Sequence, residues 1–348
     1  MPATFPASHN GFVPNHEASG KLVVDFSRNV KDFALNKYAQ IVTSKDPIGL
    51  YLEMTVEEAG RILNTNLSDL VWPDGNDAPA GTDGTESFQF RQYRLERYAP
   101  SFRLGELSIE HTRWDIVAQH AKIHAQQAMT ARTQLAITAL TTSGSYDSTH
   151  RSAVASISGN TGTWAQSTTA RQDIKRSFNT AYNVIKKDTL AAIKAKDMML
   201  VIGPDTAMGM SLSQEIIDYI KGSPDALAQV RGELPGRNLE FGLPDRLYGV
   251  EIVIEDAVKV TNKKGATKAT SYVLGSGTAV MCSRPGGLEG VANAPSFSTL
   301  TLFVHEKYDM AVEQWNDVNN KRTVGRVVDM HVPILTAPVS GYLFTSAV

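Results

Sequence analysis

Apolar side chains recur every three or four residues between positions 112 and 142, at Trp114, Val117, Ala121, Ala125, Ala128, Ala131, Leu135 and Ala139. That spacing puts them on one face and predicts a long helix. Its limits follow from the backbone breakers: no Gly or Pro occurs between Glu106 and Ser143, while Gly105 and Gly144 stand just outside. Thr112 with Asp115 makes the predicted N-cap, a hydroxyl accepting from an orphan amide and a carboxylate favouring the positive helix end. Because the stripe is mostly alanine, a sheet can come close, and the segment reads as a brace roughly 40 Å long at 1.5 Å per residue. An ordinary core helix is the alternative.

Before the brace the pattern is less regular. Residues 1 to about 50 mix Pro, Asn, Ser and Gly with short apolar pieces such as Leu22-Val23-Val24 and Phe33-Ala34-Leu35. They read as an arm lying on something else, or as a free terminus. A short helix is predicted over 54–67, capped by Thr55 with Glu57 and Glu58 in its first turn, and 68–87 is loop-like. The strand predicted over 88–98 shows Gln89, Arg91, Tyr93, Leu95 and Arg97 on one face, and Phe88, Phe90, Gln92, Arg94 and Glu96 on the other. Neither face is cleanly apolar. The two-stranded ribbon is therefore expected to lie exposed or against another subunit and not over its own core, a solvated hairpin being the alternative.

After the brace, 141–170 is rich in Ser and Thr and reads as surface loop. A helix over 169–196 turns Ile174, Phe178, Tyr182, Ile185 and Ile193 inward, and its Lys and Arg residues read as a solvated face in preference to a phosphate contact. The apolar run at 198–202 predicts a buried strand. A helix then carries Met208, Leu212, Ile216, Ile217 and Ile220 and stops at Gly222, and 221–247 is a long loop. Strands follow over 250–254, 271–274 and 279–282, with Lys263-Lys264-Gly265 as a hairpin tip, then over 300–305, 310–315 and 323–332. Pro333 and Pro338 suit a sheet edge or exit. No internal repeat is present.

Composition narrows the chemistry. The formal charge of -2, from 34 basic and 36 acidic side chains in 348 residues, argues against a dedicated nucleic-acid or membrane surface. Cys282 is the single cysteine, so no intrachain disulfide or Cys-based zinc site can form. A soluble protein of a reducing compartment is expected, with no secretory signal in the first twenty residues and no apolar run long enough to span a bilayer. His120 and His124 share a helical face at a metal-binding spacing, but Ala121 replaces the glutamate of a zinc protease and no third ligand is evident. Gly275-Ser-Gly277 continues as strand and not helix, which fails the dinucleotide-loop test. No phosphate loop or nucleophile elbow occurs, and Cys282 reads as buried and inert. No enzyme, cofactor or metal is expected.

Taken in order, these elements resemble the major capsid protein of tailed bacteriophages, with its Hong Kong 97-type fold, over nearly the whole chain. The resemblance is carried by residues 88–110 leading into 114–140, by MLVIGPDTAMGMSLSQEIIDYIKG ending at Gly222, by YGVEIVIEDA ending at Ala257, and by TLTLFVHEKYDMAVEQWNDVNNKRTVGRVVDMHVPI ending at Ile334. It implies an α+β fold with an N-terminal arm (1–50), a short helix and lead-in (51–67) and an extended loop (68–110). A peripheral domain with a long spine helix would take 111–185 and 295–327, and an axial α/β domain 186–294 and 328–348. The implied role is structural: self-assembly through pentamers and hexamers into an icosahedral virion shell around double-stranded DNA, assembled in the host cytoplasm.

The resemblance also implies portal and scaffolding proteins as partners, an optional decoration protein, and weak non-specific contact with the packaged DNA, which the near-neutral charge suits. The extended loop would lie across a neighbouring copy. Five acidic and no basic residues occur from Ile62 to Phe90, and arginines follow at once, so Asp74, Asp77 and Asp83 of one copy are expected to approach Arg91, Arg94 or Arg97 of another. No Lys occurs between Asp46 and Ala121, so a lysine-dependent crosslink from this loop is not expected. Nor is a fused scaffolding domain, since no long helical segment precedes the arm; a separate or cleaved scaffold stays open. An encapsulin-like compartment shell and an unrecognised α/β enzyme are the competing readings.

Overall fold

The computed structural model describes residues 29–53, 71–75, 90–112, 115–165, 172–231, 240–262, 265–283 and 298–348. Twelve strands among them form two six-stranded sheets. The helix predicted over 54–67 lies outside the described residues.

The first sheet is organised around β15 (Arg322–Leu335), the longest strand. Along one side of it run β13 (Leu300–His305) and then β14 (Ala311–Asp317); along the other run β4 (Glu96–Tyr98) and β5 (Ser101–Gly105), all antiparallel. The three late strands are thus found, the first with the expected bounds and the other two shifted by one to three residues at their ends. Pro333 falls where β15 has β13 as its one neighbour, which spares a ladder donor as expected.

β1 (Ala39–Ser44) adds in parallel to the outer edge of β13. Here the arm expectation is corrected: Phe33, Leu35 and Tyr38 are buried in the chain's own core, and the Tyr38 hydroxyl donates to Glu255 Oε2 at 2.8 Å. A short apolar cluster that looks too sparse to bury itself suffices when an open strand edge and a buried acceptor are waiting for it.

Helix α3 (Ile116–Thr141) braces this sheet. Asp115 alone caps it, accepting from Ala118 N at 2.9 Å, whereas the Thr112 hydroxyl turns back to Ser108 O and Ile109 O and closes helix α2 (Glu106–Glu110). The buried face is Ala128, Met129, Arg132, Thr133, Ala136, Ile137 and Leu140, about one residue round from the alanine stripe and confined to the C-terminal half. The larger side chains set the rotation because they remove more apolar area from water. Arg132 fixes it further. Its Nε donates to Asp329 Oδ2 at 3.1 Å, one Nη donates to Asp329 Oδ1, and the same nitrogen reaches Asp309 Oδ1 at 2.6 Å.

Burial alone would raise the Asp329 carboxyl, but the neighbouring His331 and Arg132 outweigh it and hold it below the ordinary carboxylate range. His331 Nδ1 stands 3.0 Å from Asp329 Oδ2 but out of line for a hydrogen bond, and neither ring nitrogen has a hydrogen-bonding partner among the described residues.

The second sheet runs β6 (Arg151–Ala153), β16 (Tyr342–Thr345), β12 (Ala279–Ser283), β7 (Met198–Ile202), β9 (Val250–Ile254), β8 (Arg246–Leu247). The predicted apolar run is β7, wholly buried between antiparallel β12 and parallel β9. Gly203 ends it under close constraint, since a Cβ there would meet Leu274 O at 2.7 Å. Helix α4 (Asp173–Asp188) packs Ile174, Phe178 and Ile185 onto this layer as expected, though it ends eight residues early.

Three expectations fail around it. The helix predicted from 205 to 222 breaks into α5 (Pro204–Ser211) and α6 (Gln214–Gly222), because the Ser213 hydroxyl accepts from Ile216 N and starts a new helix. Met208 and Leu212 are consequently exposed, and Ile216 takes the core position. The loop at 221–247 contains α7 (Pro224–Val230). The Ser- and Thr-rich stretch is not all surface: Trp164 is 1% exposed, with its indole N–H on Ser177 Oγ at 3.1 Å. A small hairpin, β10 (Val258–Val260) and β11 (Thr270–Tyr272), projects from this layer; Gly265 (φ 90) lies in its connecting loop, and Lys263 and Lys264 fall outside the described residues.

Replacing Arg132 by Ala leaves Asp329 buried and uncompensated, with an expected cost of about 3–5 kcal/mol, whereas Arg132→Met combined with Asp329→Leu should recover most of it. Denaturant midpoints of the three proteins make the comparison. The depressed carboxyl also sets an acid limit. Its contribution is complete above the unfolded-state pKa of about 4 and is lost as pH falls through the lower folded value, so the wild-type midpoint should fall more steeply in that window than the double variant's.

Candidate functional site

Between β1 and β4 the chain forms a two-stranded ribbon, β2 (Ile48–Leu52) antiparallel to β3 (Phe90–Arg94), in the register Ile48↔Arg94, Leu50↔Gln92 and Leu52↔Phe90. The ribbon expected within 68–110 therefore takes its second strand from 48–52, a stretch that reads as arm or lead-in because Gly49 and Tyr51 interrupt its apolar character.

Strand alternation gives the ribbon two unlike faces. One carries Tyr51 and Tyr93 onto Phe303, with the Tyr93 and Phe303 rings stacked at 4.1 Å, and Tyr93, Leu95, Phe303 and Met330 form a buried cluster. The expectation that the ribbon leaves its own core uncovered is corrected here, since its base docks on the first sheet. Close approach requires Gly49, where a Cβ would stand 2.5 Å from the Tyr93 ring. The other face presents Ile48, Leu50, Leu52 and Phe90 to solvent, with Leu50 68% and Phe90 64% exposed. That is an apolar stripe with nothing over it among the described residues.

Of the arginines expected to meet a neighbouring copy, two have partners within the chain. Arg91 pairs with Glu53 of its own chain, and the Arg97 guanidinium lies 4.8 Å over the Tyr308 ring. Arg94 is exposed beside Ile48 and has no partner among the described residues. Asp74 stands on an exposed turn with Gly75 and meets none of the three arginines; Asp77 and Asp83 lie outside the described residues.

His120 and His124 stack with Phe102 at 5.6 and 5.3 Å, and burial together with the neighbouring His124 lowers the His120 pKa. No group of three His, Cys, Asp or Glu side chains that could hold a metal occurs among the described residues. Cys282 is fully buried and its thiol is pushed up to about 12 by burial, so it is not poised as a nucleophile. Gly277 N donates to Thr206 Oγ1 in a turn that leads into strand β12 and not into a helix. The residue that sequence reasoning missed is Arg132. Its signal was present, for it is the one Asp, Glu, Lys or Arg between Lys122 and Asp147.

No protein-family profile matches the sequence, and no curated protein does. Solved structures do. A phage-related protein from Bordetella bronchiseptica superposes with a TM-score of 0.59 at 15% identity, covering 92% of this chain and 93% of that one. The capsid of the cyanophage P-SCSP1u gives 0.54 at 10% identity, over 94% and 91%. The capsid of an empty GTA particle gives 0.52 at 13% identity over the full length of both chains. The fold is that of a phage capsid subunit. Within this Hong Kong 97-type α+β fold, α3 is the spine helix, and the ribbon is the extended loop's base, locked on one face and bare on the other.

Gly49→Ala should unseat Tyr93 from Phe303 at a local cost of about 1–3 kcal/mol. The expected readout is faster amide exchange across Phe90–Arg94 with exchange in Met198–Ile202 unchanged.

Proposed function

We infer that this chain is a structural shell subunit, the major capsid protein of a tailed phage. It assembles through pentamers and hexamers into an icosahedral container for double-stranded DNA and performs no catalysis. The observation that carries this reading is the bare face of Ile48, Leu50, Leu52 and Phe90 on a ribbon whose other face is anchored. Large contiguous apolar surface of this kind marks a protein contact, and a repeated contact between identical copies closes into symmetric rings.

In this reading the first sheet with its spine helix is the peripheral domain and the second sheet the axial domain, and β6 and α4, assigned with 111–185 to the peripheral domain on sequence, go with the axial domain because they pair and pack with the second sheet. Met208 and Phe241, exposed on segments that pack together, supply apolar contact between axial domains around a capsomer centre. Arg94 is the arginine left for a neighbour's acidic loop, with Asp74, Asp77 and Asp83 as its candidates. Such an exposed pair contributes only about 0–1 kcal/mol, so it sets register while the apolar face supplies affinity. Portal and scaffolding proteins, an optional decoration protein and weakly held DNA complete the partners, in a virion formed in the host cytoplasm.

Electron microscopy and mass measurement of the expressed protein test this. Wild type should give megadalton particles or capsomers. Leu50→Asp with Phe90→Asp should abolish particles while leaving the thermal midpoint within a few degrees, and Arg94→Glu should reduce or misdirect assembly. Normal particles from the double variant, or a wild type that stays a small fixed oligomer, would overturn the reading. Particles that carry a protein cargo in place of DNA would point to a compartment shell.

A further inference from the structure

Residues 116–127 of the spine helix touch the first sheet through His120 and His124 on Phe102 but have no fully buried side chain, and the β10–β11 hairpin stands across from them. A groove of about 710 Å³ lies between them, lined by Gln119, Ile123, Gln127 and Thr130 of the helix and by Val258 and Val260 of β10. Its apolar walls are open, with Ile123 44%, Val258 46% and Val260 59% exposed. β10 pairs with β11 on one side and with no other strand among the described residues. Ala257 O accepts from Val273 N and Thr261 N donates to Ala269 O. In an antiparallel ladder these groups alternate sides, so residues 257, 259 and 261 address β11 and the N–H and C=O of Val258 and Val260 face the open edge. An unpaired edge beside an apolar slot is the arrangement that accepts an added strand.

We propose that the chain fills this slot itself, with residues 21–26 adding as a strand to the open edge of β10. Where the described chain begins points to this occupant. The turn Val30–Asp32 packs against the spine helix, and the Tyr38 hydroxyl is bonded to Glu255, three residues before β10. The segment leading into Asn29 thus joins a turn that touches the spine helix, nine residues before the side chain that bonds to the lead-in of β10. Eight residues from Lys21 to Asn29 reach about 26 Å when extended, and the helix from Gln119 to Gln134 is about 22 Å long, so the whole slot is within range. The run Lys21-Leu22-Val23-Val24-Asp25-Phe26 has the pattern required: Leu22, Val24 and Phe26 share one face, and Asp25 opposes the sign of Lys259, which also lines the groove. Docking within one chain needs no shell, so it stands or falls separately from the assembly reading.

Hydrogen exchange on unassembled full-length protein is the test, comparing wild type with Val24→Pro, which removes a ladder donor without shortening the chain. Exchange in a peptide containing Val258 and Val260 should be at least tenfold slower in wild type, and equal rates would overturn the proposal. A second measurement does not depend on the proline: cysteines at Val24 and Val260 joined by a short bismaleimide, with buried Cys282 silent. A bridge within one chain, found by peptide mass in a monomeric species, is expected. No bridge, or a bridge between copies, would overturn it, the latter assigning the slot to a neighbour's segment.

Discussion

A guanidinium buried under a helix that is otherwise uncharged on that side has to meet a carboxylate, and that requirement fixes how the spine helix sits. Arg132 finds Asp329 on the central strand β15 and Asp309 at the end of the β13–β14 link. Apolar burial of Met129, Ile137 and Leu140 chooses the face but is non-directional, so by itself it sets the helix's position along the sheet only loosely. A paired buried charge cannot move without stranding its partner. Helix register, strand register and the position of the connection after β13 are therefore set together.

The same anchoring explains the ribbon. β4 and β5 continue β3 onto the free side of β15, so the ribbon leaves the sheet with a fixed twist and direction. Tyr93 on Phe303 holds its base, Gly49 provides the clearance, and alternation then forces Ile48, Leu50 and Phe90 outward. Among the described residues nothing covers them. The incomplete burial is thus built into the fold as a consequence of seating the opposite face.

The second layer is tied by a carboxylate of its own. Glu215 on α6 receives the Ile174 and Lys175 amides at the start of α4 and the hydroxyl of Tyr248, whose pKa rises through burial and that bond. One carboxylate therefore ties three segments of the layer. Between the β10–β11 hairpin of this layer and the N-terminal half of the spine helix the walls do not close, and the groove results.

Periodicity in the sequence was enough for the long helix, the buried strand β7, helix α4 and the closing strands, because each follows from local spacing of apolar residues and from Gly and Pro placement. The order of those elements was enough for the fold class. What lay beyond it were the partnerships across distance: the pairing of 48–52 with 90–94, the seating of 33–44 in the core, the burial of Trp164, and the ends of Arg91 and Arg97 on Glu53 and Tyr308. A side chain's spacing along the chain determines which face it shares, but what that face meets depends on strand register and on which edge remains open. Those are settled only when residues hundreds of positions apart compete for the same surface.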